Sequence, residues 1–358
     1  MNITEVSTRK DKKKYIDFIY SIYREDKNYC DMNMTFVRNF LYCKDKYAAR
    51  CDIRPIIIED GEVKLVCMFI SSDDSDHIRL SFLEFLPDSK KYLLRMISYG
   101  RALLEKNNKK GIIAGINGQV SYGLGFLTAE YNRKFEFNSN YNPAYYTKEL
   151  DGIFPIVKKA FSYKYEAQNS LSLIGENLIS SVYSDYSFRY FDTRHFKKDM
   201  LILGDLCHRA LSGTPYYSSK TPYEMYELLR QVRFIFKKED VIFALKDGKE
   251  VGFVYTHPDY AEFFDKPKLS YISFFLRFLF KRQENLIYNV IGVLPEYQKS
   301  GLALGLIHYS IKMRQKQYPY GVSSFILEEN IPSTRLCSKL SVGINKEYHL
   351  YEVKKENV

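Results

Sequence analysis

Residues 290–305 read VIGVLPEYQKSGLALG. They continue an apolar run, 286–294, of the length and composition of a buried strand. Pro295 ends the strand. A turn follows over 296–300, and from Gly301 the spacing is helical to residue 317. A strand that feeds a tight turn and then a helix leaves backbone N–H groups without partners at the helix start. Those groups and the helix dipole favour an anion there, above all a phosphate or pyrophosphate. Gly301 and Ala303 are small enough to let such a ligand approach the backbone. The dipole alone contributes roughly 0.3–1 kcal/mol, or about 2 kcal/mol when partly buried. Hydrogen bonds to a charged ligand add to that.

Downstream the pattern predicts a strand over 322–327, the turn Glu328-Glu329-Asn330, a helix over 331–340 and a last strand over 347–353. Upstream it predicts helices over 195–211 and 222–234. A hairpin follows, with strands 241–245 and 251–256 around Asp247-Gly248, a strong hairpin signal. The first half carries the same order. Ile16, Ile19, Tyr20 and Tyr23 mark a helix over 12–24. Strands 55–59 and 63–70 flank Asp60-Gly61, a strand covers 80–86, a helix 90–106 and a strand 111–116. Asp60-Gly61 thus aligns with Asp247-Gly248, Leu86-Pro87-Asp88 with Leu294-Pro295-Glu296, and Asn117 with Asn330. Shared order at this length points to a tandem repeat. The expected domains are 1–165 and 166–358, divided where Ser/Asn/Tyr-rich sequence replaces the apolar pattern.

The order Gln298-x-x-Gly301-x-Ala303 after a strand resembles the acyl-CoA pyrophosphate loop of GNAT N-acetyltransferases. The strand 324–327, Asn330 and the helix through Ser333 agree with it. The first half, with its hairpin, residues 82–87 and Tyr141-Asn142-Pro143-Ala144-Tyr145-Tyr146, resembles bacterial tandem-GNAT proteins. The resemblance implies an α+β, three-layer fold. Each domain would be a mixed, mostly antiparallel twisted sheet flanked by helices. It implies acetyl-CoA as acyl donor, held by Val293, Leu294, Gln298, Lys299, Ser300, Gly301, Leu302, Ala303, Asn330 and Ser333. The Val293 N–H would polarise the thioester carbonyl. A Tyr on the last helix often protonates the departing thiolate in that superfamily; here Cys337 stands in the corresponding place. Many relatives carry a Glu on the strand, but residues 286–292 hold no carboxylate. Tyr288, Glu328 and Glu329 are the candidates for the base, directly or through water. After Leu86-Pro87 the first half reads DSKKYLLRM, with no glycine before Gly100. It is expected to be degenerate and to bind no acyl-CoA in the usual way.

Each of these residues has a plainer reading. Gly301 can serve a close packing contact. Asn330 can be only a helix cap, Cys337 a core thiol, and Glu328 and Glu329 solvated strand-end charges.

The 358 residues hold 53 Lys+Arg against 43 Asp+Glu, and the excess is shared by both halves. That balance suits an anionic ligand without implying nucleic acid. The six cysteines lack CxxC spacing, and the six histidines lack HxH or HExxH spacing, so no metal site is expected. Residues 1–14 are polar and charged and predict no signal peptide. The longest apolar run, 269–280, is broken by Arg277 and is too short to span a bilayer. Core or subunit packing is its default reading, and a lid over the acceptor pocket is the sharper alternative. Lys12-Lys13-Lys14 reads as a solvated helix face. Tyr122-Gly123-Leu124-Gly125-Phe126 lacks the following helix of a nucleotide loop. The expectation is a cytoplasmic N-acetyltransferase, monomer or homodimer, that moves acetyl to a small-molecule or protein amine without DNA or membrane. The alternatives are a non-catalytic CoA-binding or regulatory module and an aminoacyl-tRNA-dependent transferase, although tRNA is not the expected partner.

Overall fold

The computed structural model describes residues 1–30, 34–44, 46–137, 139–218, 221–263 and 271–355. The first half runs β1 (Asn2–Glu5), α1 (Arg9–Ile22), α2 (Met34–Leu41), α3 (Lys46–Ala49), β2 (Asp52–Asp60), β3 (Glu62–Ser71), β4 (His77–Phe85), α4 (Lys90–Asn107), β5 (Gly111–Ala114), β6 (Phe126–Leu127) and α5 (Tyr145–Asp151). Then come β7 (Ile156–Glu166), α6 (Ala167–Ser172), α7 (Glu176–Asp185), β8 (Ser187–Tyr190), α8 (Phe196–Leu211), α9 (Pro222–Leu229), β9 (Val241–Lys246) and β10 (Lys249–Pro258). The remainder is α10 (Tyr271–Phe280), β11 (Asn285–Val293), α11 (Leu302–Arg314), β12 (Tyr320–Ser323), β13 (Ile326–Leu327), α12 (Ile331–Leu340) and β14 (Gly343–Lys354).

Local chemistry explains many of the boundaries. Thr8 caps α1 and Thr221 caps α9. In each case the carboxylate three residues on, Asp11 or Glu224, accepts from the cap's own N–H. Asp247 and Gly248 both have positive φ, 51° and 75°. That is the geometry of a two-residue hairpin turn matched to strand twist.

The chain divides into two compact units. The first holds Met1–Phe161, Ala261–Lys281 and Lys346–Val358; the second holds Ser162–Tyr260 and Arg282–Asn345. In the first unit the strand order is β1-β2-β3-β4-β5-β14. Neighbours are antiparallel except β4 and β5, which are parallel and joined through α4. Its core alternates along the strands, as period-two geometry requires. Ile56, Ile58, Leu65, Cys67, Phe69, Ile78 and Leu80 face Leu93, Met96, Ile97 and Leu104 of α4. In the second unit β12, β11, β10, β9 and β8 follow one another, with β7 beyond β12. Only β11 and β12 are parallel within that run, and α11 joins them. Phe243, Phe253, Leu302 and Leu306 lie at the centre of its core. The architecture is therefore α+β, with mixed, mostly antiparallel sheets flanked by helices.

The aromatic run 271–280 forms α10, and one side of it is packed within the chain while the other is exposed. Phe274 and Phe278 pack on Phe263, while Ile272, Phe275, Leu276, Leu279 and Phe280 are exposed. Among the described residues no helix is long and apolar enough to cross a membrane. No cluster of His, Cys, Asp and Glu among them is arranged to hold a metal ion.

Candidate functional site

The parallel pairing of β11 with β12 is short. It runs from Asn285 opposite Tyr320 to Tyr288 opposite Ser323, and the Ser324 N–H still donates to the Tyr288 carbonyl at 2.9 Å. Beyond that point β11 stays with β10 alone, out to Val293 opposite Gly252. A bulge marks the parting: Tyr255 faces Val290 and Thr256 faces Tyr288, so Asn289 is the extra residue. Antiparallel hydrogen bonds alternate, and the Leu294 N–H donates to Val251 O. Ile291 and Val293 therefore point their N–H groups away from β10, into the opening left by β12.

The loop after β11 is tied back to it. Gln298 Nε2 donates to the Val293 carbonyl at 3.1 Å. Lys299 and Gly301 adopt positive φ, 67° and 83°. Ser300 Oγ donates to Tyr297 O and accepts from the Leu302 N–H. The backbone N–H groups of Lys299, Ser300, Gly301, Ala303 and Leu304 make no hydrogen bond among the described residues. Lys299 itself is exposed. Unpaired amides at a helix start, beside a solvated cation, fit an anion's chemistry.

Packing gives Gly301 a further reason to be glycine. A Cβ there would stand 2.7 Å from Leu178 Cδ1, and one on Gly305 would stand 2.4 Å from Val182 Cγ1. Both contacts come from α7, which lies across the start of α11.

The other sequence candidates scatter. Asn330 caps α12, its Oδ1 accepting from the Ser333 N–H at 3.4 Å. Glu328 is exposed after β13. Tyr288 and Cys337 are brought together through a residue the sequence reading passed over, Tyr165. The Tyr165 ring meets Tyr288 edge-on at 5.7 Å, and Tyr165 is also close enough to the Cys337 thiol for the two to influence each other electrostatically. Burial pushes Tyr288 and Cys337 up, to about 12 and about 11. Both are protonated at neutral pH, so they can donate a proton but not accept one.

A second missed pair sits at the bulge. His257 on β10 is buried, and burial lowers it to about 4. Its Nδ1 lies 2.9 Å from the Pro258 carbonyl, which can only accept, so Nδ1 carries the proton. Nε2 is then a lone-pair acceptor, 3.3 Å from Asn289 Nδ2. No motif in the sequence marks this pair; the strand register creates it.

The first unit treats its corresponding helix start differently. There the carboxylate of Glu149, from α5, accepts from the N–H groups of Asp88 and Ser89 at 2.8 Å each. The anion position that is open at α11 is filled at α4 by the protein's own carboxylate.

No family model matches the chain, and no curated protein matches it in sequence. Solved structures do match it. A tandem GNAT protein from the clavulanic acid biosynthesis pathway aligns over 99% of this chain and 98% of its own, with TM-score 0.54 and 10% identity. A GCN5-related N-acetyltransferase from Sphaerobacter thermophilus aligns over 99% and 95%, with TM-score 0.51 and 10% identity. A conserved protein from Enterococcus faecalis V583, described as a probable N-acyltransferase, aligns over 99% and 72%, with TM-score 0.52 and 8% identity. The likeness at these identities is one of fold: the chain has a tandem GNAT-like fold.

Proposed function

We propose that this protein is an acyl-CoA-dependent N-acyltransferase whose working site lies in the second unit, with acetyl-CoA the expected donor and a primary amine the acceptor. The observation that carries this reading is the contrast between the two helix starts. At α11 five backbone amides lack partners among the described residues, whereas at α4 two of the amides at the helix start, those of Asp88 and Ser89, are held by the Glu149 carboxylate. The fold likeness supports the same reading.

In this proposal the unpaired amides of Lys299, Ser300, Gly301, Ala303 and Leu304 and the Lys299 ammonium hold the donor's pyrophosphate. Asn330 and Ser333 stand at the start of the neighbouring helix. The thioester lies in the opening between β11 and β12, where the Val293 N–H donates to the carbonyl oxygen as negative charge develops on it. The amine nitrogen attacks the carbonyl carbon, the C–N bond forms and the C–S bond breaks. The partly buried Cys337 thiol, beside Tyr165, gives its proton to the departing thiolate and regains one from solvent. Tyr288, protonated, shapes the wall rather than acting as base. Exposed Glu328, acting through water, is the proton acceptor of this proposal, because His257 is lowered to about 4 by burial and resists taking a proton.

The test is thermal unfolding with and without acetyl-CoA, for wild type and Lys299→Glu. Ligand at ~100 times its Kd adds roughly 2.7 kcal/mol. Wild type should shift upward, and the charge-reversed variant should keep its own Tm but lose most of the shift. Radiolabel transfer from acetyl-CoA to an amine panel then identifies the acceptor. Absence of any shift with acetyl-CoA, longer acyl-CoAs and free CoA would sink the proposal. A shift with no transfer would favour a CoA-binding module.

A further inference from the structure

The first unit contains a partly open cavity that the acyl-CoA reading does not use. It begins with a break in strand β4. Val66 faces Glu84 and Met68 faces Ser81, so two residues of β4, Phe82 and Leu83, stand against Cys67 alone. Phe82 adopts φ 49°, a left-handed conformation that is strained for an aromatic residue. It is held there from both sides: its N–H donates to Asn117 Oδ1 at 2.8 Å, and its carbonyl accepts from Tyr15 Oη at 3.1 Å.

The extra residue reverses the alternation of the strand. Before the bulge Ile78 and Leu80 face the core; after it Leu83 and Phe85 do. An unbroken strand would have directed Glu84 into that core. The bulge turns it to the opposite face, into a cavity of about 50 Å³ lined by Tyr23, Tyr29, Tyr141, Tyr146, Asn117 and Phe82. A water occupies roughly 10–15 Å³ on this measure, so the space suits a group of a few heavy atoms.

The carboxylate is organised as an anion without a counter-charge. Its Oε2 accepts from Tyr23 Oη at 2.9 Å and from Tyr146 Oη at 2.6 Å. No Lys, Arg or His forms an ion pair with it among the described residues. Burial raises it to about 7 against the pull of those two phenols. The walls are π faces: Tyr23 and Tyr29 stack at 3.8 Å, and Tyr141 tilts against both at 6.4 Å. Tyr141 also donates to a second carboxylate, Asp26, at 2.7 Å. Negative charge and electron-rich ring faces both repel an anion and attract a cation.

We infer that this cavity of the first unit binds the head of an organic primary ammonium, with Glu84 as its counter-ion and the Tyr23–Tyr29–Tyr141 cluster as its aromatic wall. An ammonium offers three N–H donors. The Glu84 carboxylate has acceptor capacity beyond the two phenol bonds, and a positive charge there removes the cost of a buried, uncompensated anion. The inference stands whether or not the second unit binds acyl-CoA.

The experiment is isothermal titration calorimetry of the full chain at pH 8 with n-propylammonium chloride, balanced with sodium chloride, and with the uncharged isostere 1-propanol. So small a ligand is expected to bind with roughly millimolar Kd. Saturable one-to-one binding of propylammonium, with none for 1-propanol, is the expected result. Glu84→Gln keeps the side-chain shape and its phenol contacts, and should weaken binding at least tenfold. Tyr29→Leu should weaken it several-fold and serves if the first variant does not fold. No saturable heat up to roughly 100 mM ligand, equal binding of 1-propanol, or unchanged affinity in both variants would overturn the inference. Acetyl-CoA shifts in the same variants report the second unit separately.

Discussion

Gly301 shows why a motif residue has to be read in its surroundings. Its φ of 83° favours glycine before any ligand is considered, and a Cβ there would also have to displace the Leu178 methyl, 2.7 Å away. Substituting it would confound fold with binding, whereas Lys299 is exposed, already tolerates positive φ as a non-glycine, and isolates the charge. Two buried groups at this scale give opposite pH slopes. His257 is lowered from 6.5 to about 4, so the folded state refuses a proton that the unfolded chain accepts. Its contribution is complete above pH 6.5 and is lost as pH falls toward 4. His257→Gln should therefore close the stability gap between pH 7 and pH 4.5 by up to roughly 3 kcal/mol, read from urea midpoints. Glu84 is raised from 4.5 to about 7, so the folded state holds a proton that the unfolded chain releases. Its presence costs stability progressively from pH 4.5 to 7. Glu84→Gln should gain on wild type across that range, by an amount of the same order. A variant curve parallel to wild type would show the carboxyl to be unperturbed.

At the scale of elements, the two strand–helix–strand crossings carry the asymmetry. In the first unit Glu149 supplies the anion that the α4 start attracts. Glu149→Ala should cost about 1 kcal/mol, as for loss of a helix cap, measured as a lower Tm. In the second unit α11 is pressed against α7 through Gly305, where a Cβ would meet Val182 Cγ1 at 2.4 Å. Val182 is buried and β-branched, with little rotamer freedom to yield. Gly305→Ala should destabilise by roughly 1–3 kcal/mol through overpacking, a Tm loss of a few degrees. It should do so whether or not acetyl-CoA is present.

At the scale of the whole molecule, residues far apart in the chain complete each unit. The last strand places Tyr351 opposite Ala114 and Val353 opposite Ile112, so residues 346–354 give β5 its partner in the first unit. Tyr351 is buried there and its hydroxyl reaches Asp151 at 2.7 Å. A chain ending at Asn345 should lose the cooperative unfolding of the first unit while an acetyl-CoA shift from the second persists. Denaturant unfolding followed by far-UV circular dichroism would show it as a lost transition.

The strand–turn–helix at 290–305, the Asp-Gly hairpins and the repeated order of elements were legible in the sequence, because each depends on local periodicity, turn chemistry and helix ends. The outlines of α4, α8, α11 and α12 follow from the same signals. What the sequence could not show depends on register and on distant partners. Asn289 and Glu84 owe their directions to bulges, and a bulge is decided by which residue of a neighbouring strand stands opposite, not by the residue itself. His257 meets Asn289 only because β10 and β11 pair with that offset, and Tyr165 reaches Cys337 only because β7 comes to lie beside β12. The sequence by itself determined those strands, turns and helices that local periodicity and turn chemistry mark. Tertiary structure decided which of two similar helix starts stays open and which buried groups face a cavity, because hydrogen-bond partners and burial are properties of the assembled core rather than of any one segment.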